Sequence, residues 1–285
     1  MRLLFYFFLF GIATIQSVLA QESDKRFGET SAALYNQFER MYSQTNEKAK
    51  LQINDSIIAA LKEELTAPES FFFRFDTLRR TGKIYSPDES LRIFTWNIPL
   101  QDGSHMFYGI LQFYDKKWDA NKVIVLEDKG KPLPDDPEKK SMQPGQWLGA
   151  LYYRIVPVKV GRDIYYTLLG FIPNDLFTSK KVIDVVWMDE NEHVKFGYPM
   201  FQMNRELKHR LIFEYNARVS MNLDYLSDLE MIIYDHLAPE RSSYKGDYEF
   251  YGPDGSFDGL VFDKKTDHWQ LKEDVDLRAP KPPAN

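Results

Sequence analysis

The chain has 285 residues, no cysteine, and 36 basic against 42 acidic side chains, which gives a formal net charge of −6. Without cysteine it can form no disulfide framework, thiolate zinc site or cysteine nucleophile, and the acidic balance lacks the basic footprint of a nucleic-acid-binding protein. Hydrophobic residues make up 44% of the chain and charged residues 27%, which is the composition of a folded globular protein. Aromatic residues reach 15%, and these residue types favour β-strands.

The first 20 residues have the three parts of a secretory signal peptide. Arg2 supplies the positive charge, residues 3–15 the apolar stretch, and residues 18–20 (Val-Leu-Ala) a cleavage site. We expect the exported chain to begin at Gln21 and to be a periplasmic or secreted protein of a bacterial envelope. The apolar stretch is shorter than the roughly 20 residues of a spanning helix, so an uncleaved membrane anchor is the less favoured alternative. No transmembrane segment is expected after cleavage.

Residues 21–66 have the apolar spacing of amphipathic helices, with intervals of three and four residues. The apolar positions form two groups, Leu34, Tyr35, Phe38, Met41 and Tyr42, then Leu51, Ile57, Ile58, Leu61 and Leu65. This pattern predicts a helical pair. The first helix is expected to begin near Thr30 or Ser31, which are good N-caps, and the second near Thr45, ending before Pro68. We expect the pair to pack its apolar face on the rest of the protein, and a membrane-surface helix is the alternative.

From residue 71 onward the pattern changes to alternation and short aromatic or β-branched runs between turn residues, which predicts antiparallel strands. The expected strands are 91–96, 105–114, 122–126, 147–160, 164–171, 182–187, 194–203, 211–215, 219–225, 230–235, 248–251, 260–262 and 268–272. The expected turns are 86–88, 101–103, 161–163, 189–191 and 253–255. No alternation of strands and helices follows residue 70, which argues against a parallel doubly wound sheet. The predicted fold is mainly β (α+β by content): an antiparallel meander or sandwich-like domain over residues 70–278, preceded by the helical pair.

Two segments have the composition of loops. Residues 128–145 contain four prolines, mixed charge and no large aliphatic side chain except Leu133. We expect an exposed loop without core contacts, which a protease should cut first, and a domain boundary there is the alternative. The tail, residues 279–285 (APKPPAN), is too rich in proline for regular structure and is expected to be disordered.

The sequence offers few signals for chemistry. It has no nucleophile elbow, zinc-protease motif, phosphate-binding loop or dinucleotide fingerprint, and its five histidines lack the spacing of metal ligands. His236 follows Asp235 and His268 follows Asp267, yet neighbouring strand residues point to opposite faces, so neither pair is a catalytic dyad by itself. The sequence therefore assigns no catalytic, cofactor-binding or metal-binding residue and implies no cofactor.

Residues 254–259 (Asp-Gly-Ser-Phe-Asp-Gly) match the first half of a calcium-binding loop, in which Asp254, Ser256 and Asp258 would supply oxygen ligands. The twelfth position of that loop is Lys265, where a bidentate acid would normally close the site. We expect a β-turn that exposes both aspartates and does not bind calcium tightly.

The tryptophans raise a different possibility, because exported β-domains bind glycans by stacking sugar rings on exposed aromatic side chains. Trp96, Trp118, Trp147, Trp187 and Trp269 are spread singly along the chain, mostly beside apolar residues. We expect core packing for most of them. An exposed aromatic strip is the functional alternative.

Several segments together carry a resemblance: SPDESLRIFTWN (86–97), YYTLLGFIPNDLFTSKKVIDVV (165–186), FGYPMF (196–201), RLIFEYNARVSMNL (210–223), MIIYDHLAPE (231–240) and YGPDGSFDGLVF (251–262). They resemble a family of uncharacterised exported proteins of the Bacteroidetes envelope over residues 70–275. The resemblance implies a periplasmic or extracellular β-rich protein and carries no catalytic residue across. Two of the segments also look like β-propeller units, but no regular copies occur in the roughly 165 residues between them, so an irregular propeller is only the alternative fold.

These observations favour a binding or structural module of the envelope, whose partner is a glycan or an envelope protein and not a nucleic acid. The alternative is a hydrolase that acts on an envelope or extracellular substrate such as a glycan.

Overall fold

A computed structural model describes the backbone of residues 2–127 and 133–277, and the side chains of these ranges from residue 21 onward. The helices are α1 (Arg2–Ser43) and α2 (Glu47–Thr66). The strands are β1 (Gly82–Tyr85), β2 (Leu91–Pro99), β3 (His105–Asp115), β4 (Ala120–Glu127), β5 (Leu151–Val160), β6 (Asp163–Pro173), β7 (Thr178–Met188), β8 (Val194–Phe196), β9 (Phe201–Met203), β10 (Glu206–Lys208), β11 (Leu211–Asn216), β12 (Leu223–Leu226), β13 (Met231–Pro239), β14 (Tyr251–Asp263) and β15 (His268–Lys272). The predicted fold class is confirmed: a helical pair precedes mainly antiparallel sheets, and strand far exceeds helix after residue 70.

The chain divides into two compact units. The helical unit comprises residues 1–81 and 112–123, and the β unit comprises residues 82–111 and 124–285. Strands β3 and β4 therefore contribute residues to both units. The helical unit extends further along the chain than the segment 21–66 defined by helical periodicity.

The first helix differs from its prediction, whereas the second agrees. Helix α1 passes through Thr30 and Ser31, which are not N-caps. Their hydroxyls bond within the helical unit instead, Thr30 to the Glu64 carboxylate at 3.1 Å and Ser31 to Thr77. Helix α2 begins after Asn46, whose side chain accepts a hydrogen bond from the Ala49 amide at 3.0 Å. It ends before Pro68, as predicted. Cleavage at Gln21 stays a prediction.

The core of the helical unit includes most of the predicted apolar positions, together with Phe27, Phe75 and Leu78. Leu34, Phe38, Met41, Ile57, Leu61 and Leu65 are buried. Buried Gln112 closes one end of α2, because its side-chain amide donates to the Leu65 carbonyl at 2.8 Å and to the Ser70 hydroxyl at 2.9 Å. Each such bond contributes about 0.5–1.5 kcal/mol, and the bond to Leu65 satisfies a carbonyl that the helix leaves unpaired.

The strands form three sheets with the orders β1-β2-β3-β4, β11-β7-β6-β5 and β10-β9-β15-β14-β13-β12, and β8 pairs with β7. The described pairings are antiparallel except for β15 with β9. In the β unit, the five-stranded and six-stranded sheets share one core, formed by residues such as Leu169, Ile183, Ile232 and Leu260. The Trp269 indole donates to the Thr167 hydroxyl at 3.1 Å and links the two sheets. This arrangement is sandwich-like, and a propeller is not seen among the described residues.

The strand predictions fail where the chain bends or bulges. The expected strand 194–203 is divided into β8 and β9, which lie in different sheets, and Gly197 between them has a φ of +80°. The expected strand 248–251 is mostly a 3₁₀ turn, Tyr248–Phe250. The expected turn 253–255 lies inside β14. Strands β1 and β10 were not predicted.

Candidate binding groove

An open groove of about 490 Å³ lies on the β unit. Its walls include Tyr85 of β1, Tyr153 of β5 and Tyr225 of β12. Because these strands belong to three different sheets, each sheet contributes one aromatic ring. Pro87 and Pro157 add further rigid apolar surface.

The buried guanidinium of Arg92 contacts Tyr85 and fixes its position. The Arg92 guanidinium donates to the Tyr85 hydroxyl at 2.9 Å and lies 5.3 Å from the ring centroid. Arg92 is fully buried, and this burial lowers its pKa, although the neighbouring Tyr85 opposes the shift. Tyr85 remains 40% exposed, so part of its ring is open to a ligand.

Tyr153 is fixed more tightly. Its hydroxyl donates to the Leu223 carbonyl at 2.8 Å, and the Lys181 ammonium lies 4.6 Å from its ring centroid. Burial, together with the nearby Asp224 carboxylate, raises the pKa of Tyr153 well above its ordinary value. Tyr153 therefore acts as a neutral, rigid aromatic surface.

Arg154 and Asp224 form a two-pronged ion pair at the rim of the groove. Arg154 donates through Nε to Oδ1 at 2.9 Å and through Nη2 to Oδ2 at 3.0 Å. Partial burial tends to raise the pKa of Asp224, but the Arg154 hydrogen bonds hold it below its ordinary value. Both side chains are close to half exposed. The planar Arg154 guanidinium, a hydrogen-bond donor, and the charged Asp224 carboxylate, an acceptor, therefore lie beside the aromatic rings. Such a combination is suited to a ligand that has apolar faces and hydroxyl-bearing edges.

A second ion pair, Arg210 with Asp184, is closed to any ligand. Both side chains are fully buried, with Arg210 Nε 3.0 Å from Asp184 Oδ1. Arg210 Nη1 also donates to the Pro137 carbonyl and, at 2.8 Å, to the Lys140 carbonyl. Gly197 is required here, because a Cβ at that position would overlap the Arg210 guanidinium. The cluster is a structural clamp.

This clamp gives core contacts to the segment that was predicted to be a loop without them. Glu138 accepts from the Lys208 ammonium at 2.6 Å and from the Ile212 amide at 2.9 Å. Buried Met142 exchanges two backbone hydrogen bonds with Phe196. The expected lack of core contacts is therefore wrong for residues 133–145, although most of their side chains are exposed. Residues 128–132, like the tail 279–285, lie outside the described residues.

His236 has an acidic partner, but it is not its sequence neighbour. The Asp235 carboxylate accepts from the Asn222 amide at 2.7 Å, whereas His236 Nδ1 lies 2.7 Å from Asp258 Oδ2. The hydrogen bond to Asp258 raises the pKa of His236 against the effect of partial burial, and Asp254 and Asp274 add to the rise. Sequence reasoning separated His236 from Asp235 correctly and missed Asp258, which comes from the next strand.

A bulge in β14 creates this arrangement. Asp235 pairs with Phe257, and Leu237 pairs with Pro253, so residues 254–256 lie opposite the single residue His236. A bulge of this kind redirects side chains locally. The sequence signal that could locate it is Gly255, whose φ of +95° suits glycine.

The same bulge contains the partial calcium motif. Asp254 accepts from the Ser256 amide at 2.9 Å and hydroxyl at 2.7 Å, whereas Asp258 is 7% exposed and pairs with His236. The expectation of a β-turn exposing both aspartates is therefore wrong. Among the described residues, no group of three or more His, Cys, Asp or Glu side chains could hold a metal. That the segment does not bind calcium tightly stays a prediction.

The tryptophans mostly serve the core, as predicted. Trp96, Trp147 and Trp269 are buried and Trp187 is partly buried, whereas Trp118 is 70% exposed. Trp118 belongs to the helical unit and lies outside the groove residues. The groove aromatics are tyrosines rather than tryptophans.

Neither the protein-family models, nor the curated proteins, nor the solved structures include a match to this chain. The resemblance to exported envelope proteins therefore stays a prediction. Within residues 2–127 and 133–277, no helix is long and apolar enough to cross a membrane.

Proposed function

We propose that this protein is an exported module of the bacterial envelope that binds a glycan in the tyrosine-lined groove. The observation that carries the proposal is the meeting of Tyr85, Tyr153 and Tyr225 around one open cavity. Sugar rings have apolar faces that pack on aromatic rings, and their hydroxyls pair with planar groups such as those of Arg154 and Asp224. The signal-peptide pattern of residues 1–20 supports the export part of the proposal.

Several polar groups of the groove residues already have hydrogen-bond partners, which favours binding over catalysis. The Tyr85 and Tyr153 hydroxyls are already engaged with Arg92 and the Leu223 carbonyl, and Arg154 is engaged with Asp224. These contacts hold the side chains in place before a ligand arrives, which reduces the entropy cost of binding.

The test is isothermal titration of purified protein with a panel of soluble envelope and extracellular oligosaccharides. We expect binding to at least one of them, with an affinity that falls about tenfold or more in Tyr85→Ala and in Arg154→Ala, a loss of roughly 1.4 kcal/mol or more. Tyr248→Ala and Arg162→Ala are matched controls, because both residues are exposed and lie outside the groove residues. The proposal fails if no member of the panel binds, or if the control variants lose as much affinity as the groove variants.

The hydrolase alternative is favoured by one observation, the pair of His236 with Asp258. A half-exposed imidazole whose Nδ1 faces a buried carboxylate is oriented as a general base. Turnover of ester or glycoside substrates that is lost in both His236→Gln and Asp258→Asn would support this function. Turnover that persists in both variants would contradict the hydrolase function.

A further inference from the structure

The helical unit exposes two large aromatic side chains, one of which packs against a third aromatic ring. Phe72 is 61% exposed and Trp118 is 70% exposed. The Phe72 ring meets the Tyr114 ring edge-on at 5.1 Å, and the Tyr114 hydroxyl donates at 2.9 Å to Asp119, the residue after Trp118. We call Phe72, Tyr114 and Trp118 the aromatic tip.

Hydrogen bonds and ring packing hold the aromatic tip in a fixed conformation. Asp115 accepts from the amides of Lys117 at 2.8 Å and Trp118 at 3.2 Å, which fixes the turn between β3 and β4. On the other side, buried Phe71 stacks on Tyr114 at 5.1 Å. Large exposed apolar surface on a fixed scaffold is typical of an interaction site.

The position of the aromatic tip in the helical unit indicates what covers it. Asn121, close to Trp118 in the chain, donates to the Ala67 carbonyl at 2.7 Å and so places the turn at the C-terminal end of α2. Arg26 lies 3.6 Å from Glu64, so this end of α2 lies beside residue 26 of α1. Helix α1 continues from there toward residues 3–15, the apolar stretch of the chain. The aromatic tip therefore lies at the end of the helical pair from which the apolar stretch leaves.

The residues around the aromatic tip fit a lipid surface. The Lys117 ammonium lies 4.8 Å from the Trp118 ring centroid, Lys116 precedes it, and the Arg74 side chain is 82% exposed near Phe72 in the chain. Tryptophan, tyrosine and lysine together are typical of the membrane–water interface, where the rings lie among headgroups and the ammonium groups reach water. Asp115 and Asp119 balance the lysines, and Asp76, 3.6 Å from Arg74, balances the arginine, so the attraction comes from the rings rather than from net charge.

We infer that the aromatic tip docks on a lipid bilayer, with Phe72 and Trp118 inserted among the headgroups. The contact is weak and reversible, because two rings bury little area. It holds the helical unit at the membrane surface, and it does not depend on the glycan proposal.

The experiment uses the full chain with phosphatidylcholine vesicles whose acyl chains carry bromine, a quencher of tryptophan fluorescence. Trp118 is much more exposed than the other four tryptophans, so quenching by the lipid reports its position. We expect a blue shift and quenching on vesicle addition. Both should be lost in Trp118→Phe and reduced in Phe72→Ser. Leu176→Ser is the matched control, because Leu176 is also 70% exposed but belongs to the β unit, and it should leave the quenching unchanged.

Two outcomes would overturn the inference. One is protein that sediments with vesicles while Trp118 stays unquenched, which would mean that another segment, such as residues 3–15, makes the contact. The other is self-association of the chain that Phe72→Ser abolishes, without any quenching by vesicles, which would assign the aromatic tip to a second copy of the protein.

Discussion

The β unit contains two Arg–Asp pairs with the same chemistry and opposite surroundings. Arg210 and Asp184 are 0% exposed, whereas Arg154 and Asp224 are 46% and 47% exposed. The exposed pair has the better geometry, with two parallel hydrogen bonds, and the buried pair has a single direct one. Geometry alone therefore does not decide what an ion pair does.

Burial decides it. Arg210 also donates to two backbone carbonyls of the segment 133–145, so its loss would leave the Asp184 carboxylate and these carbonyls without their partner in a dry interior. Water or a ligand hydroxyl can replace either partner of the Arg154 pair. The buried pair is suited to hold the fold, and the exposed pair is suited to meet a ligand.

The largest expected effect comes from breaking the buried pair. Arg210→Met should lower the free energy of unfolding by about 3–5 kcal/mol, because an uncompensated charge stays buried. Arg154→Met is the matched control and should cost less than about 1 kcal/mol. Urea unfolding of the two variants measures the difference. Equal losses would show that burial does not separate the two pairs.

Substitution of Gly197 tests whether the Arg210 guanidinium fills the space beside this residue. Gly197→Ala combines a positive φ with overlap of the guanidinium, whereas Gly161→Ala, at a φ of +62° with no atom within 4 Å, has only the backbone strain. That strain costs about 1–2 kcal/mol. Urea unfolding should show a larger loss for Gly197→Ala, and part of the excess should disappear in Arg210→Met. An excess that is undiminished in the Arg210→Met background would mean that Arg210 is not what fills this space.

The buried pair should also protect the segment that it anchors. The peptide bonds after Lys139 and Lys140 lie in exposed chain, next to carbonyls that Arg210 holds. Trypsin should cut these bonds faster in Arg210→Met than in the wild type. The Arg154→Met protein should be cut at the wild-type rate. Proteolysis at these bonds that is equally fast in all three proteins would contradict the clamp.

The contrast between the two pairs also marks the limit of sequence reasoning. Helix α2 was predicted closely because its apolar spacing and its N-cap are local signals, and β15 was predicted residue for residue as 268–272. Arg210 and Pro137 are 73 residues apart in the chain, and the pairing of His236 with Asp258 depends on a bulge. Composition suggested a free loop for 128–145 because proline and charge are common in loops, and it carried no sign of a buried arginine elsewhere. The groove needs three sheets, so no single segment could reveal it.

The smallest expected effect concerns the pair of His236 and Asp258, in which the imidazole is 48% exposed and the carboxylate 10% exposed. Three carboxylates, those of Asp258, Asp254 and Asp274, face the imidazole and raise its pKa in the folded state. The protonated form is thus favoured by folding, so the pair contributes its full stability below the unfolded-state value of about 6.5 and loses it as the pH rises through the higher folded-state pKa.

His236→Gln should therefore cost more stability near pH 5 than near pH 8, by less than about 1 kcal/mol because the side chain is 48% exposed and screened by water. Urea unfolding of the wild type and the variant at both pH values measures this difference. The pH dependence should shrink in the Asp258→Asn background, where the strongest partner of the imidazole is neutral. If the cost of His236→Gln were larger near pH 8, or unchanged by Asp258→Asn, the pair would not be the source of the effect.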